Sequence, residues 1–157
     1  MTTQTLTPTS ASPRSKVEIL VVEDSPIQAE LLRRTLTHHG YAVNIAHHGA
    51  HALAIVRERR PTLILSDIAM PVMDGYAMCH ALKSDPASQD IPIILLTALS
   101  DPEDIIRGLN AKADNYLTKP YDEDTLLTRI EHLLANQDLR KDTRLCLQSL
   151  TTGSSPQ

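Results

Sequence analysis

The sequence predicts an α/β fold built on a doubly wound parallel sheet. Three observations predict it. Short β-rich apolar runs alternate five times with helical periodicity, the connections between them are short, and several runs stop at charged residues where a sheet edge would present them. At 157 residues the chain suits one domain of ordinary size, and 41% apolar content suffices for a core. With no Phe or Trp, that core must be made of Leu, Ile, Val, Ala and Met.

Residues 1–16, rich in Thr, Ser and Pro and lacking an apolar h-region, read as a disordered leader rather than a secretory signal. Residues 17–22 form the first strand. Ser25-Pro26 then supplies an N-cap followed by proline at the first helical position; Ile27, Leu31, Leu32 and Leu36 recur at helical spacing, and Gly40 closes the helix. Residues 41–46 are the second strand. Gly49, Ala50, Ala52, Leu53, Ile55 and Val56 carry the second helix, whose basic end before Pro61 complements the helix dipole.

Residues 63–67 are an unbroken apolar run that stops at Asp67 and turns through Pro71 and Asp74-Gly75. That is the pattern of a buried parallel strand delivering a carboxylate to the carboxyl edge of the sheet. The third helix spans 75–83 through Tyr76, Met78, Cys79 and Leu82. Residues 91–97 are the fourth strand, with Pro92 near its start, where a missing ladder donor matters least. Asp101-Pro102 opens a fourth helix through Ile105, Ile106 and Leu109. Residues 115–117 form the fifth strand, and 122–136 a strongly amphipathic fifth helix through Leu126, Leu127, Ile130, Leu133 and Leu134.

The most economical layout is the flavodoxin-like strand order 2-1-3-4-5, a (βα)5 three-layer sandwich that sets the ends of strands one and three side by side. A compact domain over 17–136 follows. In the extension over 137–157, Leu139, Leu145, Leu147 and Leu150 stand among charges without a heptad. This segment could be a helical extension, a linker to a further domain or a small packing segment, with an unstructured end.

Net charge −4 and a pI near 5.9 advertise no basic surface for nucleic acid or anionic lipid, and no apolar run is long enough to span a bilayer. A protein or small-molecule partner is the expectation. Cys79 and Cys146 lie far apart with no Cys-x-x-Cys, which favours reduced thiols in a cytosol over a disulfide. His47, His48 and His51 invite a metal but lack a further ligand at suitable spacing, and His38 and His39 fit the end of the first helix.

The chemistry gathers at the strand ends. Glu23-Asp24 follow the first strand, Asp67 ends the third, Thr97 ends the fourth and Lys119-Pro120 follow the fifth. In this layout Asp24 and Asp67 face each other across the crevice at the switch point. Converging carboxylates raise one another's pKa unless a cation offsets them, and a hard octahedral Mg2+ suits an all-oxygen site completed by a phosphoryl group. Lys119 supplies a point charge for phosphate and Thr97 a hydroxyl. Asp67 is then a nucleophile for phosphoryl transfer. Taken singly, each residue has an ordinary role as helix start, cap, turn, loop or strand residue; their joint placement at one edge carries the reading.

Glu23-Asp24, Asp67 with Met70-Pro71 and Met73-Asp74-Gly75, Thr97-Ala98, and Asp114-Asn115-Tyr116-Leu117-Thr118-Lys119-Pro120 together resemble the response-regulator receiver domain of two-component and phosphorelay signalling, over about residues 17–135. The resemblance implies that Asp67 accepts a phosphoryl group from a phosphohistidine of a histidine kinase or histidine phosphotransfer protein. It implies Mg2+ on Asp24, Asp67, the Ala69 carbonyl and, through water, Glu23, with Lys119 on the phosphoryl group and a cis bond before Pro120. Thr97 and Tyr116 would be the switch pair. They would alter the face of the fourth helix, fifth strand and fifth helix toward a downstream protein, an attached output domain or a second copy.

Two departures stand out. Lys112 replaces a Gly common in the family, and Tyr121 stands where Phe is usual; neither is expected to touch the chemistry. Ala69 and Leu99 stand two residues after Asp67 and Thr97, positions that, in the family the resemblance points to, modulate access of water to the acyl phosphate; neither side chain can orient a water, so slow self-dephosphorylation is expected. An aspartyl-nucleophile phosphatase or phosphotransferase would want an acid where Ala69 stands. A flavin binder would want amides and hydroxyls where Glu23-Asp24 stand. A receiver-like module that is never phosphorylated would have no use for the intact acidic, Thr and Lys positions.

Overall fold

The structure, a computed structural model, describes residues 17–98, 106, 110 and 112–137. Five parallel strands, β1 (Glu18–Val22), β2 (Ala42–Ala46), β3 (Leu63–Asp67), β4 (Ile93–Thr97) and β5 (Asn115–Thr118), form one sheet in the order 2-1-3-4-5. The order predicted from the alternation of elements is therefore the order observed. The central strands are continuous apolar runs because both faces of the sheet are covered: Ile19, Val21, Leu63, Ile64, Leu65, Ile93, Ile94 and Leu95 have no exposed surface.

Among the described residues, α1 (Pro26–His38), α2 (Gly49–Glu58) and α3 (Gly75–Lys83) connect the first four strands. The chain moves outward from β1 to β2 and back across to β3, so right-handed crossovers put α1 and α2 on opposite faces. On the α2 and α3 side, Leu20, Val22, Ile64, Ile93 and Leu95 pack with Ala52, Tyr76, Met78, Cys79 and Leu82. Side-chain oxygens cap α1 and α3, the first of them at the Ser25 predicted from the sequence. The Ser25 hydroxyl accepts the Gln28 N–H at 3.3 Å, with Pro26 next to it, and the Asp74 carboxylate accepts the Ala77 N–H at 2.8 Å. Gly40, at φ +91°, ends α1 in the left-handed conformation that a side chain disfavours.

One helical face differs from expectation. Ala29, Leu32 and Leu36 are the buried stripe of α1, whereas Ile27 and Leu31 stand 72% and 54% exposed. A helix on a sheet buries one stripe, and residues at i, i+3 and i+7 already fill it here. Of the predicted fourth helix, only Ile106 and Asn110 are described, and both are helical. The leader over 1–16, Leu99, Cys146 and the extension beyond residue 137 lie outside the described residues.

Residues 123–137 form a helix in a second compact unit that begins at Asp122. The Thr125 hydroxyl bonds the Asp122 carboxylate at 2.5 Å, and Leu126, Leu127, Ile130 and Leu133 recur on one buried stripe.

Two features of the first unit were not visible as local patterns. Lys83 donates to the carbonyls of Gln89 (3.1 Å) and Ile91 (2.8 Å) and to Asp114 Oδ2 (2.8 Å), and that same oxygen accepts the Ile93 N–H at 2.8 Å. Asp114 therefore joins the end of α3 to the starts of β4 and β5. The second feature is Val72. Its φ is +70°, and the Met73 N–H reaches back over it to the Pro71 carbonyl at 2.7 Å, a γ-turn of the strained hand centred on a β-branched, 80% exposed residue. Val72→Gly is expected to raise folding stability by about 1 kcal/mol, the relief of one strained residue less the entropy glycine forfeits. Urea unfolding measures it, and a loss of stability would contradict the strain. Lys112 also has positive φ, +67°, which explains why glycine suits that position.

Candidate functional site

The carboxyl edge of β1, β3, β4 and β5 brings the predicted residues together. Val22 pairs with Ser66, so the Glu23-Asp24 that follow β1 meet Asp67 at the end of β3. One carboxylate oxygen from each of Glu23, Asp24 and Asp67 lies within 4.8 Å of the others. Among the described residues this is the one such cluster of three acidic, histidine or cysteine ligands.

Asp67 is held at one oxygen. Its Oδ1 accepts the Ile68 N–H at 3.0 Å and the Lys119 ammonium at 3.2 Å, which leaves Oδ2 without a donor among the described residues. Lys119 is itself fixed by its backbone, whose N–H donates to the Thr97 carbonyl at 2.7 Å. Thr97 is buried and lies one rung beyond the Asp67–Leu96 pairing. The Lys119-Pro120 peptide bond is cis. Ala69 is exposed, two residues past Asp67.

Glu23 is only 3% exposed, and its Oε2 accepts the Ser25 N–H at 3.1 Å. Burial pushes its carboxyl above the ordinary 4.5, and the Asp67 and Asp24 carboxylates push it further, against the opposing pull of the Ser25 N–H and Lys119. The folded state therefore holds this proton more tightly than the unfolded chain does. Stability contributed at this site falls as pH rises from 4.5 through the raised value and stays reduced at neutral pH. Without divalent cation, Glu23→Gln is expected to be more stable than wild type at pH 7, and the difference to vanish near pH 4, where glutamate is itself largely neutral. Urea unfolding at both pH values in chelator tests this; a less stable variant at pH 7 would show that the charge is already compensated.

Tyr116 is half-buried and packs on the α3 side of the core. Its phenol is pushed above the ordinary value by burial, with Tyr76 and Cys79 adding to the shift. Tyr121 is nearer the site than the sequence suggested: burial raises its phenol first, and the Glu23 and Asp67 charges raise it further. Cys79 is buried with its thiol pushed up to about 12, an inert thiol rather than a redox partner.

The histidine cluster is occupied by other work. His48 Nδ1 accepts the His51 N–H and His51 Nδ1 accepts the His47 N–H, both at 3.1 Å. The Nδ1 atoms of both rings are thereby committed to backbone N–H groups, and among the described residues these histidines belong to no group of three potential ligands at metal-binding distance.

An open parallel sheet with three carboxylates and a lysine at its carboxyl edge offers the charges that phosphoryl transfer beside a divalent cation requires. The response regulator receiver domain model matches residues 19–131. The response regulator MprA of Mycobacterium ulcerans (strain Agy99) is 40% identical over 126 residues, which are 80% of this chain and 53% of that protein. The chain thus spans about half the length of this curated relative. Among solved structures, the signal receiver domain of a signal transduction histidine kinase from Syntrophus aciditrophicus is 46% identical with a TM-score of 0.74, over 76% of this chain and 91% of that one. The receiver domain of the sensor histidine kinase PA1611 from Pseudomonas aeruginosa PAO1, solved with a magnesium ion coordinated in the active site cleft, is 30% identical with a TM-score of 0.71, over 76% and 98%. The chain belongs to the response regulator receiver domain family, the phosphoacceptor part of two-component signalling.

Proposed function

We propose that Asp67 is the phosphoacceptor and that its Oδ2 is the attacking oxygen. The observation that carries this is the asymmetry of the carboxylate: Oδ1 is held by Lys119 and the Ile68 N–H, Oδ2 has no donor among the described residues, and an oxygen of this carboxylate lies within 4.8 Å of oxygens of Glu23 and Asp24. The Oδ2–P bond forms as the N–P bond to a donor phosphohistidine breaks, and the imidazole leaves with the electron pair. Lys119 neutralises charge on the phosphoryl oxygens as they move onto Asp67.

Mg2+ fits the donor set, because three hard carboxylate oxygens share one pocket, where burial and the neighbouring Asp67 and Asp24 carboxylates push the Glu23 carboxyl up and a cation would offset that repulsion. Asp24, Asp67 and the Ala69 carbonyl would hold it, with Glu23 acting through water. It supplies charge neutralisation on the transferring group. Thr97 and Tyr116 are the proposed switch pair, communicating with the face of the fourth helix, fifth strand and fifth helix. A downstream protein, an attached output domain or a second copy would read that face.

The receiver is assigned to residues 17–136, with 137–157 as an extension toward an output. It works in the cytoplasm as a switch that assists only its own phosphorylation and dephosphorylation. Direct nucleic-acid or membrane contact is not part of its role. Among the described residues no helix is long and apolar enough to cross a membrane. Ala69, which lacks an acid to drive turnover, supports a switch over a phosphatase.

Incubating the chain with acetyl phosphate and Mg2+ and measuring intact mass tests the proposal. One phosphoryl group is expected, lost in Asp67→Asn and with chelator. No mass gain, or a gain that survives in Asp67→Asn, overturns it.

A further inference from the structure

The side chains that cap the first turn of α2 are histidines. His48 is the N-cap, its Nδ1 accepting the His51 N–H at 3.1 Å, and His51 Nδ1 accepts the His47 N–H at 3.1 Å. The rings of His48 and His51 lie 6.0 Å apart, and those of His47 and His51 stack at 5.6 Å. An N-cap is ordinarily a Ser, Thr, Asp or Asn oxygen, which keeps its lone pairs throughout the neutral pH range. An imidazole Nδ1 accepts only while it is unprotonated. Protonating either ring converts an acceptor into a donor and adds positive charge at the positive end of the helix.

The turn so capped is fastened to the loop that follows Asp67. The Gly49 N–H donates to the Met73 carbonyl at 3.1 Å. The two backbones meet so closely that a Cβ on Gly49 would stand 2.7 Å from Met73 Cγ and 2.8 Å from its carbonyl oxygen. Within the same loop sits the strained Val72 turn, which closes on Met73. A loop in a sparsely populated conformation persists only while its surroundings hold it, and α2 is one of the holds.

The charged and titratable groups of the neighbouring elements are otherwise placed. The first turn of α2 has no acidic residue, and β2 carries no titratable side chain. On β1, Glu18 pairs with Arg59 at the far end of α2; just after β1, Glu23 accepts the Ser25 N–H, and Asp24 follows it. In the loop, the Asp74 carboxylate caps α3, while on α3 Tyr76 and Cys79 are buried, His80 is exposed and Lys83 binds Asp114.

We infer that His48 and His51 form an acid-sensitive latch: neutral, they cap α2 and clamp the Met70–Asp74 loop through Gly49; protonated, they release it. The device is independent of whether Asp67 is phosphorylated, because it acts on the fold of the loop. Amide hydrogen exchange on the full chain at pH 7.5 and 5.5, corrected for the intrinsic rate, tests it. Protection of the Gly49 and His51 amides in wild type is expected to fall about fivefold, the loss of one N-cap, while His48→Asn, whose amide oxygen does not titrate, changes by less than about twofold. Unchanged protection in wild type, or an equal fall in His48→Asn, overturns the latch. A second readout needs no variant: nitrogen NMR at pH 7.5 is expected to show both rings with hydrogen on Nε2. Finding it on Nδ1 in both rings also overturns the latch.

Discussion

Asp114→Ala is expected to lose about 3 to 5 kcal/mol of folding stability, the range for leaving one member of a buried ion pair without its partner. The Asp114 and Lys83 side chains are 18% and 9% exposed, so water restores little of what the carboxylate provides. Removing it leaves the ammonium with only the carbonyls of Gln89 and Ile91, and the Ile93 N–H at the head of β4 loses its acceptor. Both faults open at the junction of α3, β4 and β5, so the elements that carry Thr97 and Lys119 should loosen together. Urea unfolding measures the loss, and one below about 1 kcal/mol would mean that the pair behaves as a surface salt bridge. Lys83→Met should cost less than Asp114→Ala, because the remaining carboxylate keeps the Ile93 N–H and its edge toward water.

The contrast between what could and could not be read in advance follows from range. Leu63-Ile64-Leu65 announces a strand buried on both faces because an apolar run ending at a carboxylate has few other uses in a parallel sheet. The meeting of Asp24 with Asp67 follows from strand order alone, since one layout sets those two ends together. Spacing could not decide which stripe of α1 faces inward, because Ile27 and Leu31 satisfy helical periodicity as well as Ala29, Leu32 and Leu36 do. Asp114 was legible as a mark of the family but not as the partner of Lys83, 31 residues away. Val72, the histidine cap and the closeness of Tyr121 to the acidic pocket depend on dihedral angles and tertiary approach, which no local pattern encodes.

Gly75→Ala is expected to damage both the fold and the site, and comparison with Asp67→Asn separates the two. Gly75 opens α3 directly over the end of β3, with its N–H donating to the Ile68 carbonyl at 2.9 Å. A Cβ there would stand 2.5 Å from the Asp67 carbonyl oxygen, 2.9 Å from Ile68 Cα and 3.3 Å from the Asp67 carbonyl carbon. All three are backbone atoms, so no side chain can swing aside; the tightest clash at Gly49, by contrast, is with the flexible Met73 Cγ. Either α3 must lift from the sheet or the end of β3 must retreat, and a retreat carries Asp67 away from Lys119 and the acidic pair. The expected loss is about 3 kcal/mol or more, the upper range for forcing a methyl group into filled space. Labelling by acetyl phosphate should fall with it, even at temperatures where the variant remains folded. Asp67→Asn should lose the label while unfolding near the wild-type midpoint. A Gly75→Ala protein with wild-type stability and full labelling would mean that the first turn of α3 does not hold the acceptor in place.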